Sequence, residues 1–263
     1  MAETVLETAG LTMRFGGVTA SDNVDFKLQS RELRCLIGPN GAGKSSLLHC
    51  IAGLSRPSTG RTEVDGLDIA RAGDLDRART LAILTQSQAV SSRLRVADLV
   101  AFGRWPHHQG RITPEDREII DEALRCFGLQ DLRDRYLDTL SGGQRQRAFV
   151  AMTHAQATGW LLLDEPLNAL DPRHAHDLMS RLHAMSRPGP EARAVVIVVH
   201  DLNAAAAWAD RVIAMKDGRI TAAGPRDAVL TESTLTDLFD TPFGVTAQSG
   251  RLFIFTTDRT DAH

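Results

Sequence analysis

The feature that most constrains this 263-residue chain is a run of eight residues: Gly38, Pro39, Asn40, Gly41, Ala42, Gly43, Lys44 and Ser45. An apolar stretch over residues 33–37 precedes it, as expected of a buried strand, and residues 46–52 read as a helix that follows it. The spacing is that of a phosphate-binding loop between a strand and a helix. Glycines at these positions let successive backbone N–H groups turn inward around an anion. The helix that begins at Ser46 points its positive end at the same place. Lys44 adds a full charge near the β and γ phosphates of a nucleotide, and Ser45 offers a hydroxyl to Mg²⁺. ATP with Mg²⁺ is therefore the expected ligand pair.

Two further stretches carry chemistry. Trp160, Leu161, Leu162 and Leu163 form a buried-strand pattern that ends on Asp164 and Glu165. Open α/β sheets bind ligands at the C-terminal ends of such strands. Asp164 is expected to hold Mg²⁺ directly or through water, and Glu165 to act on an attacking water as base or orienter. In the run Leu140-Ser141-Gly142-Gly143-Gln144, Ser141 resembles a helix cap and the glycines expose backbone donors before a helix from Gln144, making a second phosphate-binding helix end. The 38–45 loop already surrounds the γ-phosphate of one ATP from one side. A second donor loop is best explained if it serves ATP bound to another copy of the chain.

Bulk properties narrow the class. The length bounds the chain to one large domain or two small ones. A net charge of −3 gives no basic footprint for nucleic acid. Residues 1–7 lack the basic start and apolar stretch of a signal peptide, and no run approaches the ~20 apolar residues of a spanning helix. The expectation is a chain soluble by itself that reaches a membrane only by docking on another protein. Cys35, Cys50 and Cys126 fit no metal spacing and read as reduced thiols. His107-His108 and the set His174, His176 and His183 are not expected to form a metal site, because neighbours one or two residues apart do not share a helix face.

Along the chain, residues 5–15 and 18–28 alternate apolar and polar around a Gly16-Gly17 turn, and residues 62–64 and 67–69 flank Asp65-Gly66 as a hairpin. Residues 92–158 change to a helical pattern. Thr113-Pro114-Glu115-Asp116 is a capped helix start, followed by an apolar stripe of Ile119, Ile120, Ala123, Leu124 and Phe127. The acids around that stripe, Asp116 included, read as a solvated face. Strand signals return at 160–163 and 194–199, with a helix over 172–185 between them. Residues 212–215 and 219–222 pair around Asp217-Gly218, and a helix over 231–239 precedes a final strand at 251–255. Strands alternating with helices predict an α/β domain with a largely parallel sheet.

Taken together, these motifs resemble the ABC (ATP-binding cassette) ATPase family across almost the whole chain. Residues 38–45 resemble its Walker A loop, 163–165 the end of Walker B and 140–144 its signature. Gln86 falls where the family has its Q-loop glutamine, a metal contact and relay to the transport subunit. Asn168-Ala169-Leu170-Asp171 resembles the D-loop that crosses the dimer interface. His200 resembles the switch histidine that senses the γ-phosphate, and Phe15 falls where an aromatic residue stacks on adenine. The fold implied is a P-loop NTPase, RecA-like core (about 1–91 and 159–263) with an antiparallel N-terminal β-subdomain and an inserted α-helical subdomain (about 92–158), all one cassette domain.

The resemblance also implies partners. These are a second copy bound head to tail, integral membrane permease subunits, and an external substrate-binding protein in the full system, with the chain on the cytoplasmic face of the cell membrane. A narrower likeness, carried by Val100-Ala101-Phe102-Gly103-Arg104-Trp105-Pro106, Gln109-Gly110-Arg111, Asp134-Arg135-Tyr136-Leu137-Asp138 and residues 144–156, is to importer ATPases for ferric siderophores, haem and cobalamin, the siderophore branch especially. Trp105 and Pro106 would present an apolar ledge there. A soluble ABC ATPase acting on DNA or the ribosome, and a P-loop metabolite kinase, are the rivals. The first would carry a long coiled coil or paired cassettes, and the second has no use for residues 140–144.

Overall fold

The computed structural model describes residues 4–15, 17–29, 31–86, 93–189 and 192–257. Strands β1 (Val5–Phe15), β2 (Val18–Gln29) and β3 (Leu33–Ile37) lead to helix α1 (Lys44–Ile51), then β4 (Thr59–Val64), β5 (Leu67–Asp68), α2 (Asp74–Thr80) and β6 (Leu81–Leu84). Helices α3 (Val96–Phe102), α4 (Trp105–His108), α5 (Pro114–Cys126) and α6 (Gly142–Ala155) follow. The remainder is β7 (Trp160–Asp164), α7 (Pro172–Met185), β8 (Ala194–Val198), α8 (Leu202–Trp208), β9 (Arg211–Lys216), β10 (Arg219–Pro225), α9 (Arg226–Val229), α10 (Glu232–Phe239), β11 (Phe243–Gln248) and β12 (Arg251–Thr256).

A six-stranded sheet, ordered β10-β9-β3-β8-β7-β6, forms the centre. Its four pairings from β9 to β6 are all parallel, running from β9 through β3, β8 and β7 to β6, while β10 joins antiparallel at the edge. Strands β3, β7 and β8 are buried at every position, which explains their near-continuous apolar sequences. Their side chains still alternate between two cores. Cys35, Leu161, Leu163, Val195 and Ile197 face a core shared with α3, α5, α6 and α7, whereas Leu36, Trp160, Leu162, Val196 and Val198 face one shared with α1, β1 and β2. On that second side lies an antiparallel sheet of order β2-β1-β4-β5. The central sheet is thus the middle layer of three. No helix among the described residues is long and apolar enough to cross a membrane.

Local chemistry sets the turns. Asp65-Gly66, Asp217-Gly218 and Ser249-Gly250 all have positive φ at both residues, the geometry of a two-residue hairpin turn whose twist matches the strands. Helix α5 begins at a reciprocal cap, with Thr113 Oγ1 accepting from the Asp116 N–H and the Asp116 carboxylate accepting from the Thr113 N–H.

Several elements differ from the sequence reading. Helix α1 starts at Lys44, because Gly43 at φ 94° ends the loop one residue before it. Asp116 does not lie on a solvated face. It is 3 % exposed and paired with the equally buried Arg104, Nε to Oδ1 at 2.9 Å. Pro106 is buried, and its carbonyl accepts a hydrogen bond from Arg79, so the exposed apolar surface there is Trp105 with Phe102. Helices α2 and α8 and strand β11 carried too weak a period to be anticipated. Gly16 and Ser92 lie outside the described residues.

Candidate active site

The 38–45 loop is held in shape by its surroundings. An added Cβ at Gly38 (φ 148°) would sit 2.0 Å from the Met215 carbonyl oxygen, and one at Gly43 would sit 1.9 Å from that of Ala20. The loop is wedged between β2 and the end of β9, where only glycine leaves room for backbone to approach backbone. The Gly218 N–H donates to the Ala42 carbonyl at 3.1 Å, so the β9–β10 turn braces the loop. Lys44 Nζ donates to the Gly38 and Pro39 carbonyls, each at 2.8 Å, which pulls the loop around its ammonium group. Burial lowers the Lys44 pKa, against the raising effect of the Glu165 and Asp164 charges.

Parallel pairing of β7 with β8 and β6 brings Asp164, Glu165, His200 and Gln86 to one end of the sheet, facing this loop. Glu165, His200 and Gln86 line a cleft of about 440 Å³ with Thr19, Ala20 and residues 40–46. Asp164 is 1 % exposed, and neither of its carboxylate oxygens has a hydrogen-bond partner among the described residues. Burial raises its pKa, opposed by the facing Ser45 hydroxyl. A buried carboxylate left without partners costs about 1–3 kcal/mol or more, so this one is suited to a cation.

Glu165 contrasts with it. Its backbone is left-handed, φ 52°, which a non-glycine residue adopts only where the surroundings impose it. Its Oε2 accepts from Gln86 Nε2 at 2.8 Å and from Asn168 Nδ2 at 2.6 Å, and its Oε1 lies 2.5 Å from His200 Nε2. An ionised carboxylate only accepts, so Nε2 of His200 carries the hydrogen. Burial works to raise the Glu165 pKa, but the bonds from His200 and Asn168 and the electrostatic influence of His200 and Lys44 outweigh it, and the net shift is downward. Three separate segments therefore converge on one ionised carboxylate.

Ser141 caps α6 through a reciprocal pair with Gln144: Oγ accepts from the Gln144 N–H at 3.3 Å, and Gln144 Oε1 accepts from the Ser141 N–H at 3.0 Å. Residues 141–144 do not line the cleft of their own chain. They pack instead on the segment after Glu165, where an added Cβ on Gly143 would meet the Ala169 carbonyl oxygen at 3.1 Å. Asp171 ends that segment as the cap of α7, accepting from the His174 N–H at 2.9 Å. Phe15 closes β1, and its side chain lies outside the described residues.

The histidines flagged in the sequence go separate ways. His174 pairs with Asp171, His176 and His183 place their rings against Trp208, and His107 Nε2 lies 2.9 Å from the Gln156 carbonyl. Sequence reasoning missed Asn168 as a partner of Glu165. Its place three residues after Glu165, in a segment already singled out, was the available signal. It also missed His49, whose Nε2 lies 4.0 Å from Asp164 Oδ2.

Fold and site together define a P-loop nucleoside triphosphatase, with residues 141–144 set away from the cleft of their own chain. Comparison with known proteins gives the family. The family model described as "ABC transporter" matches residues 21–168. The chain is 39% identical over 236 residues to the petrobactin import ATP-binding protein YclP of Bacillus subtilis (strain 168), covering 90% of this chain and 93% of that protein. It is 38% identical over 237 residues to the ferric enterobactin transport ATP-binding protein FepC of Escherichia coli (strain K12), covering 88% and 87%. A dimeric ATP-binding cassette in a post-hydrolysis state, bound to ADP and Pi, superposes with a TM-score of 0.77 at 25% identity, covering 84% of this chain and 98% of that one. The chain belongs to the ABC transporter family, as an ATP-binding ATPase subunit.

Proposed function

We propose that the chain powers an importer of ferric siderophore, hydrolysing ATP in a head-to-tail dimer docked on permease subunits at the cytoplasmic face of the membrane. The observation that carries the enzymatic reading is the Glu165 carboxylate, ionised beside the Lys44 loop and held by Gln86, Asn168 and His200. A carboxylate fixed in this way is suited to accept a hydrogen bond from water and aim it for in-line attack on the γ-phosphate.

In this reading residues 38–46 wrap the phosphates and donate their N–H groups to them, except Pro39, which has none; Lys44 turns part of its ammonium charge from its own loop to them, and Phe15 stacks on adenine. Ser45, Asp164 and Gln86 would hold Mg²⁺, and the partnerless oxygens of Asp164 fit that role. Mg²⁺ is bound through few carboxylates together with phosphates, and it neutralises charge on them. His200 keeps Glu165 oriented and steadies the transferring phosphoryl group. Ser141, Gly142, Gly143 and Gln144 of one copy cap the nucleotide of the other. The contact of Gly143 with residues 169–170 ties that cap to the Glu165 segment of the same chain. Asp171 fixes the start of α7 at the interface, and Gln86 relays closure to the permease.

The names of the relatives support the cargo: one is an ATP-binding protein of petrobactin import and the other of ferric enterobactin transport. The test is uptake of radiolabelled ferric siderophore by iron-starved cells lacking this chain. Restoration by wild type and not by Glu165→Gln is expected. Unchanged uptake in the deletion strain, with no other ATPase substituting, would remove this cargo and leave haem as the next to assay.

A further inference from the structure

Two buried polar groups without partners face each other below the phosphate loop. One is Asp164, both of whose carboxylate oxygens lack a hydrogen-bond partner among the described residues. The other is His49, whose Nε2 is buried and equally without one. They lie 4.0 Å apart, Nε2 to Oδ2. His49 is on α1 four residues after Ser45, so the imidazole and the Ser45 hydroxyl share one helix face, one turn apart. That face is turned to the end of β7, where Asp164 closes the strand.

A buried polar group without a partner is costly, and native structures rarely keep two side by side. Here the gap between them is about 1 Å beyond a hydrogen bond. The terminal torsions of both histidine and aspartate are broad, so a small ring or carboxylate rotation closes it.

We propose that His49 is a positioning residue for Asp164: its Nε2–H takes one carboxylate oxygen and leaves the other aimed past Ser45 at the site of the divalent cation. The inference rests on the reading of Asp164 as a cation-holding residue and adds a residue that none of the sequence motifs contains. Chemically it is the arrangement in which a carboxylate ligand is oriented by a donor behind it. Loss of such a donor lowers metal affinity about 10–100-fold. The role needs only a hydrogen on Nε2, and a glutamine amide reaches the same distance.

The experiment uses the whole chain, with Mn²⁺ as probe. Bound Mn²⁺ is counted by electron paramagnetic resonance in the presence of a non-hydrolysable ATP analogue, and binding of the same analogue without metal is measured by calorimetry in EDTA. His49→Ala is expected to weaken Mn²⁺ binding about 10–100-fold, to leave metal-free nucleotide binding unchanged, and to be largely rescued in His49→Gln. Equal Mn²⁺ affinity in His49→Ala and wild type overturns the proposal. So does an equal loss with and without metal, which would mean that the ring only supports the loop, or a glutamine variant no better than alanine. Asp164→Asn separates the two layers: if it leaves Mn²⁺ affinity unchanged, the reading of Asp164 itself fails. If it weakens binding while His49→Ala does not, only the inference about His49 fails.

Discussion

Replacing Arg104 by methionine should destabilise the chain more than any other single change among the helices between β6 and β7. The guanidinium is 5 % exposed and Asp116 is 3 % exposed. Arg104 Nε donates to Asp116 Oδ1 at 2.9 Å and Nη1 to the Ala155 carbonyl at 3.1 Å. The other carboxylate oxygen accepts from the N–H and Oγ1 of Thr113. The pair thus joins the α3–α4 corner, the start of α5 and the end of α6. Methionine keeps most of the volume and leaves a buried carboxylate without its cation, a change that costs about 3–5 kcal/mol.

With a urea dependence of about 1–3 kcal/mol per molar, the unfolding midpoint should fall by at least ~1 M. Arg104→Met/Asp116→Leu removes the stranded charge as well. It should lose mainly the helix cap, about 1 kcal/mol, and be more stable than Arg104→Met alone. Acid gives an independent reading. Burial works to raise the Asp116 pKa, but the Thr113 hydrogen bonds and Arg104 overcome it and hold it at about 2, below the ordinary 3.8. A folded-state pKa below the unfolded one contributes stability that is present above about pH 4 and lost as pH falls towards 2. Arg104→Met raises that pKa, so its acid unfolding should begin at higher pH than that of wild type. Additive costs in the double variant, or an unchanged acid transition, would refute the argument.

Other substitutions probe the loop and the C-terminal hairpin. Gly43→Ala places a methyl group against the Ala20 carbonyl at positive φ; it should abolish detectable ATP binding in calorimetry while circular dichroism still shows a folded chain. Asn203→Ala removes two hydrogen bonds to the Ile254 backbone, one donated at 3.0 Å and one accepted at 2.9 Å. At ~0.5–1.5 kcal/mol each, that should loosen β11 and β12 against α8. Hydrogen exchange should quicken in residues 243–256 and stay slow in β3.

Much of this was legible in the sequence because the governing interactions are local. The Thr113 and Ser141 caps and the Asp-Gly hairpins each depend on residues within four positions of one another, the 38–45 loop carries its whole pattern in eight consecutive residues, and each formed where its residues predicted. The parallel strands were legible because burial on both faces demands continuous apolar runs. The misses were non-local or weakly patterned. Asp116 looked like one acid among several because its partner lies twelve residues earlier and across a corner. β11 contains Gly244, and the Phe255 ring lies over that glycine from the opposite strand, a packing no period in the sequence reveals. In the site, each motif residue could be named from its own run. Of the three donors on Glu165, Asn168 lies three residues away, but Gln86 and His200 come from segments joined to it only by the order of strands in the sheet, so the convergence of all three was visible only in the fold.

The most direct test of the account is ATP-dependent dimerisation of Glu165→Gln, followed by light scattering during size exclusion with Mg²⁺ and ATP. The variant keeps the phosphate loop and the 141–144 cap and loses the carboxylate that aims water, so turnover should fall by about 10²–10⁴ while a dimer accumulates with ATP retained in it. A Glu165→Gln chain that stays monomeric with ATP bound, or hydrolyses ATP at the wild-type rate, would contradict the assignment of Glu165 and the completion of its site by a second copy.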